Sequence, residues 1–283
     1  LRGFMMAGSR VLLLWFTMLA CLNASSTHPG DAARLTLDQG AVVRSPRDAR
    51  RLALVFTADL YAEGASTILD TLREGRIKAS FFLTGRFLRN PAFRLIVARL
   101  RDEGHLVGPH SDAHLLYASW DHPPRLLVTH QQFQADLTAN LRALESHQID
   151  PRGIRVFLPA YEHHTEEIAR WSREAGLTLV NNTPGTRSQT DYMTDDDPHF
   201  TPAARIVASI LDAERAQPDG LNGYLLLMHL GAGPKRTRDH LHDRLGAILD
   251  ELTRRGYRFA RVNELLGLDE HSVKGADKVL RGR

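Results

Sequence analysis

The stretch VGPHSDAHLLYASW, residues 107–120, sets His110 and His114 four residues apart directly after an apolar run. Two imidazoles at that spacing share one face if the segment is helical, or meet across a tight turn. Either arrangement offers two nitrogen donors to a divalent metal and leaves positions for a third ligand, water and substrate. Asp59 is the natural third ligand, because it follows the apolar run LALVFT at 52–57 and so belongs at another strand end. One Asp with two His suits a borderline ion: zinc first, with cobalt, nickel or manganese as alternatives. Such an ion acidifies a bound water or polarises a carbonyl oxygen, and either action serves hydrolysis of an amide or ester. A further group near the water must take or supply a proton. The pair by itself is a weak signal in a chain with 14 histidines, since surface and cap positions account for most histidines.

The elements that must hold these residues are legible from residue 51 onward. Seven short, nearly continuous apolar runs lie at 52–57, 78–84, 105–110, 154–159, 177–182, 223–230 and 257–262. That pattern predicts strands buried on both faces of a parallel sheet. Amphipathic stretches at 66–74, 91–103, 129–146, 165–175, 202–214 and 239–255 read as helices between them. Asn90 before Pro91 and Thr201 before Pro202 read as cap-then-proline starts, and Gly104, Gly176 and Gly256 as stops. Strands alternating with helices predict an α/β fold, either a barrel or a doubly wound sheet, and in both the ligands gather at the carboxyl ends of the strands. Asp59, His110, His114, Tyr161, Glu162 and His229 all fall on that one rim.

Composition narrows the classes further. The chain has 283 residues, 43% hydrophobic and 24% charged, enough for one domain with a full core. With 36 basic and 33 acidic residues interspersed, it carries no basic stripe, which argues against a nucleic-acid partner. Arg2 and Arg10, the apolar run VLLLWFTMLACL at 11–22 and the small polar residues after it predict a secretory leader over 1–26, with an uncleaved anchor as the alternative. The run is too short for a comfortable membrane span, and no other span is expected. Cys21, the only cysteine, ends MLAC as in a lipoprotein processing site, although Met18 and Leu19 fit that pattern poorly. The expected location is therefore secreted, periplasmic or cell-envelope, with lipid anchoring through Cys21 as a variant. The folded body then has no disulfide, and its metal ligands must be His, Asp or Glu. The expected layout is an N-terminal extension over 27–50, one domain over 51–268 and a basic tail over 269–283.

The order LALVFTADL, KASFFLTG, GHLVGPHSDAH, VFLPAY and YLLLMHL resembles the polysaccharide deacetylase family, also called the NodB-homology domain or carbohydrate esterase family 4. The resemblance runs from about residue 51 to 266. Its most specific element is the motif H-S/T-x-x-H, matched by His110, Ser111 and His114. The resemblance implies a distorted (β/α)7-type barrel, a divalent metal held by one Asp and two His, and removal of N- or O-acetyl groups from a carbohydrate such as a cell-wall polysaccharide. Carried over by position, His110 and His114 are metal ligands and His229 is the acid that protonates the leaving group. Tyr161 lends its backbone amide to the oxyanion, and Leu227 belongs to the pocket for the acetyl methyl.

Two motifs depart from the family. Where it has T-F-D-D, base then ligand, this chain reads Val55, Phe56, Thr57, Ala58, Asp59; a one-residue shift or bulge returns Asp59 to the metal. Where it has R-P-P-Y, this chain reads Leu158, Pro159, Ala160, Tyr161. The family's arginine pairs with its catalytic aspartate, so Thr57 and Leu158 are two ends of one lost ion pair, and losing both avoids an unpartnered buried charge. In the first assignment Asp59 ligates and Glu162 is the base. In the second Asp59 is the base, and the metal keeps two histidines plus water or Asp112. Glu162 also reads as a carboxylate placed at a helix start by the dipole.

In NNTPGTRSQTDY, residues 181–192, Arg187 and Asp191 are candidates for substrate contact or loop closure, with a solvated ion pair as the plainer reading. Tyr117 and Trp120 are candidates for stacking on a sugar face or for ordinary packing. His163 and His164 lie near the rim and are expected to face solvent, with contact to a sugar as the alternative for either. TDDDPH at 194–199 reads as a solvated cap rather than a calcium loop. The leading expectation is an exported, metal-dependent carbohydrate deacetylase. Its rivals are a catalytically silent glycan-binding barrel and a metal-dependent amidase or esterase acting on a non-sugar substrate.

Overall fold

The structure is a computed structural model describing residues 34–268. The expected leader with Cys21 and the basic tail lie outside the described residues. The chain opens with an antiparallel hairpin, β1 (Thr36–Asp38) and β2 (Ala41–Arg44). β3 (Arg51–Ala58), α1 (Ala65–Glu74), β4 (Ser80–Leu83), α2 (Gly85–Arg89), α3 (Arg94–Asp102) and β5 (Leu106–Pro109) follow. Then come α4 (His130–Glu145), β6 (Val156–Phe157), α5 (Glu166–Glu174), β7 (Thr178–Leu179) and α6 (Ala203–Ala216). The chain continues through β8 (Leu225–His229), α7 (Leu245–Arg254), β9 (Arg258–Phe259) and α8 (Val262–Leu265).

The seven strands expected from the apolar runs are β3 to β9, and every ladder among them is parallel. The main sheet has the order β5-β4-β3-β8, with β9 pairing the start of β3; β6 and β7 form a separate pair. This is an α/β fold of the distorted-barrel kind, and its ladder does not close continuously. Single backbone hydrogen bonds bridge the gaps: Leu158 N–H donates to the Pro109 carbonyl at 3.3 Å, and Thr183 N–H to the Leu225 carbonyl at 3.1 Å. A bridge between Val42 and Val180 adds the N-terminal hairpin to β7, so the described part of the 27–50 extension packs on the barrel.

Alternation along β3 explains why its run is apolar throughout. Leu52, Leu54 and Phe56 join the layer under the helices, with Ile68, Leu69 and Leu72 of α1 and Ile248 and Leu252 of α7. Ala53 and Val55 join the interior with Phe82, Val156, Leu158, Leu225 and Leu227. Full burial of each large side chain stabilises the fold by about 1.5–3 kcal/mol. Asn90 caps as expected, its side chain accepting from Ala92 N–H at 3.0 Å. Thr201 does not: its hydroxyl turns back to the His199 carbonyl, and the first N–H of α6, that of Ala203, is accepted instead by the Asp239 carboxylate at 2.6 Å. Gly104 takes a φ of +76° just past α3, the left-handed stop that glycine tolerates. No helix among the described residues is long and apolar enough to cross a membrane.

Candidate active site

β3 runs in unbroken parallel register against both β4 and β8 up to its last residues, with no bulge. Thr57 and Ala58 therefore end the strand, and Asp59 reaches the rim by standing one residue beyond it. Thr57 pairs in register with His229, and both line one cavity of about 400 Å³ at the carboxyl ends of the strands. Asp59, His110, His114, Tyr161 and Glu162 line the same cavity. A larger, more open cleft of about 540 Å³ lies beside α4, but its lining holds no histidine and no aromatic ring.

His110 and His114 do not share a helix face; the segment between them is a turn in which Ser111 and His114 take φ of +70° and +55°. Their ring centres stand 5.4 Å apart. Four of the eight non-glycine residues with positive φ among the described residues are Ser111, His114, Tyr161 and Glu162, all at this site. Such backbone strain persists only where surrounding contacts fix it. For the histidine turn those contacts come from α4. Asp136 accepts Asp112 N–H at 3.0 Å, Ala113 N–H at 3.1 Å and the Tyr117 hydroxyl at 2.6 Å. Asn140 accepts His110 N–H at 2.8 Å and donates to the Leu83 carbonyl at 3.1 Å. Neither residue was expected from motif reading, yet an Asp and an Asn four apart on the buried face of an amphipathic helix were the available signal.

The imidazole of His110 is 2% exposed and donates from Nδ1 to the Leu158 carbonyl at 2.9 Å, which leaves Nε2 bare toward the cavity. Burial, with the neighbouring His114, lowers its pKa to about 3, so the ring is neutral. Burial also lowers the pKa of His114 against the pull of Asp59. His110 Nε2 faces Glu162 at 3.9 Å, and His114 Nδ1 faces Asp59 at 3.8 Å. Among the described residues no three His, Cys, Asp or Glu side chains stand in ready-made metal geometry; these donors form two pairs instead. Their chemistry still fits a borderline divalent ion, with two neutral imidazoles, that of His110 fixed in its tautomer by a carbonyl, and carboxylates on the same wall. Thr57 Oγ1 adds a buried polar atom without a protein partner at the cavity wall.

Asp59 is gripped on its other side. Arg86 donates from Nε to Oδ1 at 3.0 Å and from Nη2 to Oδ2 at 2.5 Å, and the Thr84 hydroxyl donates to Oδ1 at 2.9 Å. Asp112 points away from the cavity into a two-pronged pair with Arg89. Glu162 has its pKa raised, first by burial, with His229 acting against and Asp191 reinforcing. His229 donates from Nδ1 to Asp191 Oδ1 at 2.7 Å, and its backbone N–H donates to Oδ2 at 2.9 Å. Burial opposes the charged ring, but the charge and hydrogen bond of Asp191 outweigh it and raise the pKa of His229.

Asp191 thus meets His229 and does not line the cavity. Arg187 is not brought here either; it lines a separate groove with His199, Phe200 and Arg205. Leu227 lies two residues beneath His229 in the barrel interior, fully buried. Around the mouth stand Tyr61, Trp120, Tyr161 and Tyr192, all exposed. Trp120 stacks on His163 at 4.1 Å and Tyr192 leans on His229 at 4.9 Å, whereas Tyr117 is buried in the core. His164 is buried too, with Nε2 donating to the Asp38 carbonyl at 3.0 Å, so it does not face solvent.

The chain is 27% identical over 222 residues to a peptidoglycan-N-acetylglucosamine deacetylase of Bacillus cereus, covering 78% of this chain and 90% of that one. It is 25% identical over 225 residues to the peptidoglycan-N-acetylglucosamine deacetylase PgdA of Listeria monocytogenes, covering 77% of this chain but only 39% of that longer protein. In three dimensions it matches the crystal structure of BA3943, a CE4 family pseudoenzyme from Bacillus anthracis. The TM-score is 0.62 at 18% identity, with 85% of this chain and 72% of that one covered, a likeness of fold. The family model for polysaccharide deacetylase matches residues 31–180, just over half the chain. With the histidine turn, the late strand ending in His229 and the parallel sheet all in place, the chain belongs to the polysaccharide deacetylase family, the NodB-homology domains of carbohydrate esterase family 4.

Proposed function

We propose that this protein is an exported, metal-dependent deacetylase that removes acetyl groups from a polysaccharide or N-acetylated sugar. The arrangement that carries the reading is a carboxyl group of raised pKa, Glu162, and an imidazole of raised pKa, His229, on the wall of one cavity that also holds two neutral histidines. Two groups whose environments tune them for opposite proton transfers are the signature of acid–base hydrolysis.

Asp59, His110 and His114 would hold the divalent ion, zinc first. Bound there, it would supply Lewis-acid polarisation of the acyl carbonyl and acidify a water. Glu162 takes the proton of the attacking water as the new C–O bond forms. The Tyr161 backbone amide steadies the oxygen that carries the developing charge. His229, kept doubly protonated by Asp191, which accepts its Nδ1–H, passes its Nε2 proton to the leaving nitrogen as the C–N bond breaks, giving acetate and a free amine. The aromatic mouth stacks on sugar faces and orients the chain. Export rests on the leader-like 1–26.

A second reading, a glycan-binding barrel without turnover, is favoured by the pairing of Asp59 with Arg86 and by Thr57 and Leu158 at the positions of the family's aspartate and arginine. Acetate release from an N-acetylated glycan, with and without zinc, separates the two. Zinc-dependent release supports the deacetylase, and glycan binding without release supports the barrel.

A further inference from the structure

The four acceptor positions of the Asp59 carboxylate can be counted. A carboxylate offers about two per oxygen. Oδ1 takes two donors, the Thr84 hydroxyl at 2.9 Å and Arg86 Nε at 3.0 Å. Oδ2 takes one, Arg86 Nη2 at 2.5 Å. One position is left, on Oδ2, and Oδ2 is the oxygen that faces His114 Nδ1 at 3.8 Å. The grip is local and prearranged. Thr84 is the N-cap of α2, its hydroxyl also accepting Phe87 N–H at 3.0 Å, and Arg86 belongs to the first turn of the same helix. Thr84 itself is tied to β3 by donating its N–H to the Ala58 carbonyl at 3.1 Å.

We infer that Arg86 and Thr84 are positioning residues that present Asp59 to the metal through Oδ2 alone. They leave no free position on Oδ1, so the free position through which Asp59 would meet the metal lies on Oδ2. The pair also supplies, from the strand–helix junction after β4, an arginine–aspartate contact in a chain whose positions 57 and 158 are threonine and leucine. The inference rests on the reading of Asp59 as a ligand.

Arg86→Gln, Arg86→Lys and Thr84→Val, with Asp59→Asn as reference, test it in the full protein. Cobalt(II) is titrated into metal-free samples and followed by its visible absorption. Removing groups that orient a metal ligand costs roughly 10–100-fold in affinity. Arg86→Gln is expected to lose that much and to change the band shape. Arg86→Lys recovers part of the affinity, because one ammonium keeps the charge but not the fork. Thermal unfolding of the metal-free proteins, close to wild type, shows that the loss is not one of folding; if Arg86→Gln unfolds, Arg86→Lys and Thr84→Val carry the test. Unchanged or tighter cobalt binding with unchanged spectra across the Arg86 and Thr84 variants overturns the inference alone. Cobalt binding by Asp59→Asn equal to wild type, or none by wild type, overturns it together with the ligand assignment it rests on.

Discussion

One carboxylate, that of Asp191, holds His229 at two points: Oδ1 accepts the ring Nδ1–H at 2.7 Å, and Oδ2 accepts the backbone N–H of the same residue at 2.9 Å. The ring's tautomer, its orientation and its charge are therefore set by one neighbour. Asp191→Asn keeps an acceptor but removes the charge that outweighs burial, so the pKa of His229 falls. The proton donor is then lost at lower pH. The alkaline limb of the kcat profile is expected to move downward, with kcat reduced about 100-fold. A profile that keeps its alkaline limb in place rules out His229 as the acid tuned by Asp191.

Asp136 holds the histidine turn by three hydrogen bonds while nearly buried. Asp136→Ala leaves two backbone N–H groups and the Tyr117 hydroxyl without an acceptor, at about 1–3 kcal/mol for each group that finds no other partner. Urea unfolding is expected to show a loss of about 3 kcal/mol and zinc titration a weakened site. A loss under about 0.5 kcal/mol, the range of ordinary surface changes, contradicts this role.

Trp120 is 61% exposed at the mouth and stacked on His163. Trp120→Ala is expected to raise KM for a glycan oligomer roughly three- to tenfold, the size of one stacking contact, and to leave kcat within about twofold. Steady-state kinetics on an oligomer and on a single N-acetylated sugar checks it. Equal effects on both contradict a platform that extends beyond the reacting sugar.

His105 is buried and its pKa is lowered to about 4, first by burial and then by Lys78. Its folded value lies below the ordinary 6.5, so the folded state refuses a proton that the unfolded chain accepts. The stability that follows is complete above pH 6.5 and is lost as pH falls toward 4, by at most about 1.4 kcal/mol per unit for this group. His110 acts in the same direction down to about 3. Urea midpoints of the metal-free protein are expected to fall from pH 7 to pH 5; equal midpoints contradict the burial of both rings.

The seven strands and six of the helices were legible because each strand run buries both faces and each helix shows a single apolar stripe. The paired segments are shorter than the runs at β6, β7 and β9, where two residues carry the ladder and the rest turns out toward caps and loops. The hairpin β1–β2 and the short helices α2 and α8 were not legible, since three to five residues are too few for a period. The rim residues were legible as strand-end positions. Their supports were not: Arg86, Thr84, Asp136 and Asn140 act through contacts of long sequence separation, up to 57 residues for Asn140 and Leu83, that no spacing encodes. Asp191 was placed on the right loop, but its partner His229 lies 38 residues on and emerges only in three dimensions.

The most direct test compares acetate release from an N-acetylated glycan by the zinc-loaded wild type, by the chelated protein and by Glu162→Gln. Zinc-dependent release that Glu162→Gln reduces by about 100- to 10,000-fold while still binding zinc is the expected result. Release that Glu162→Gln leaves unchanged, or no release by the zinc-loaded wild type, contradicts the account.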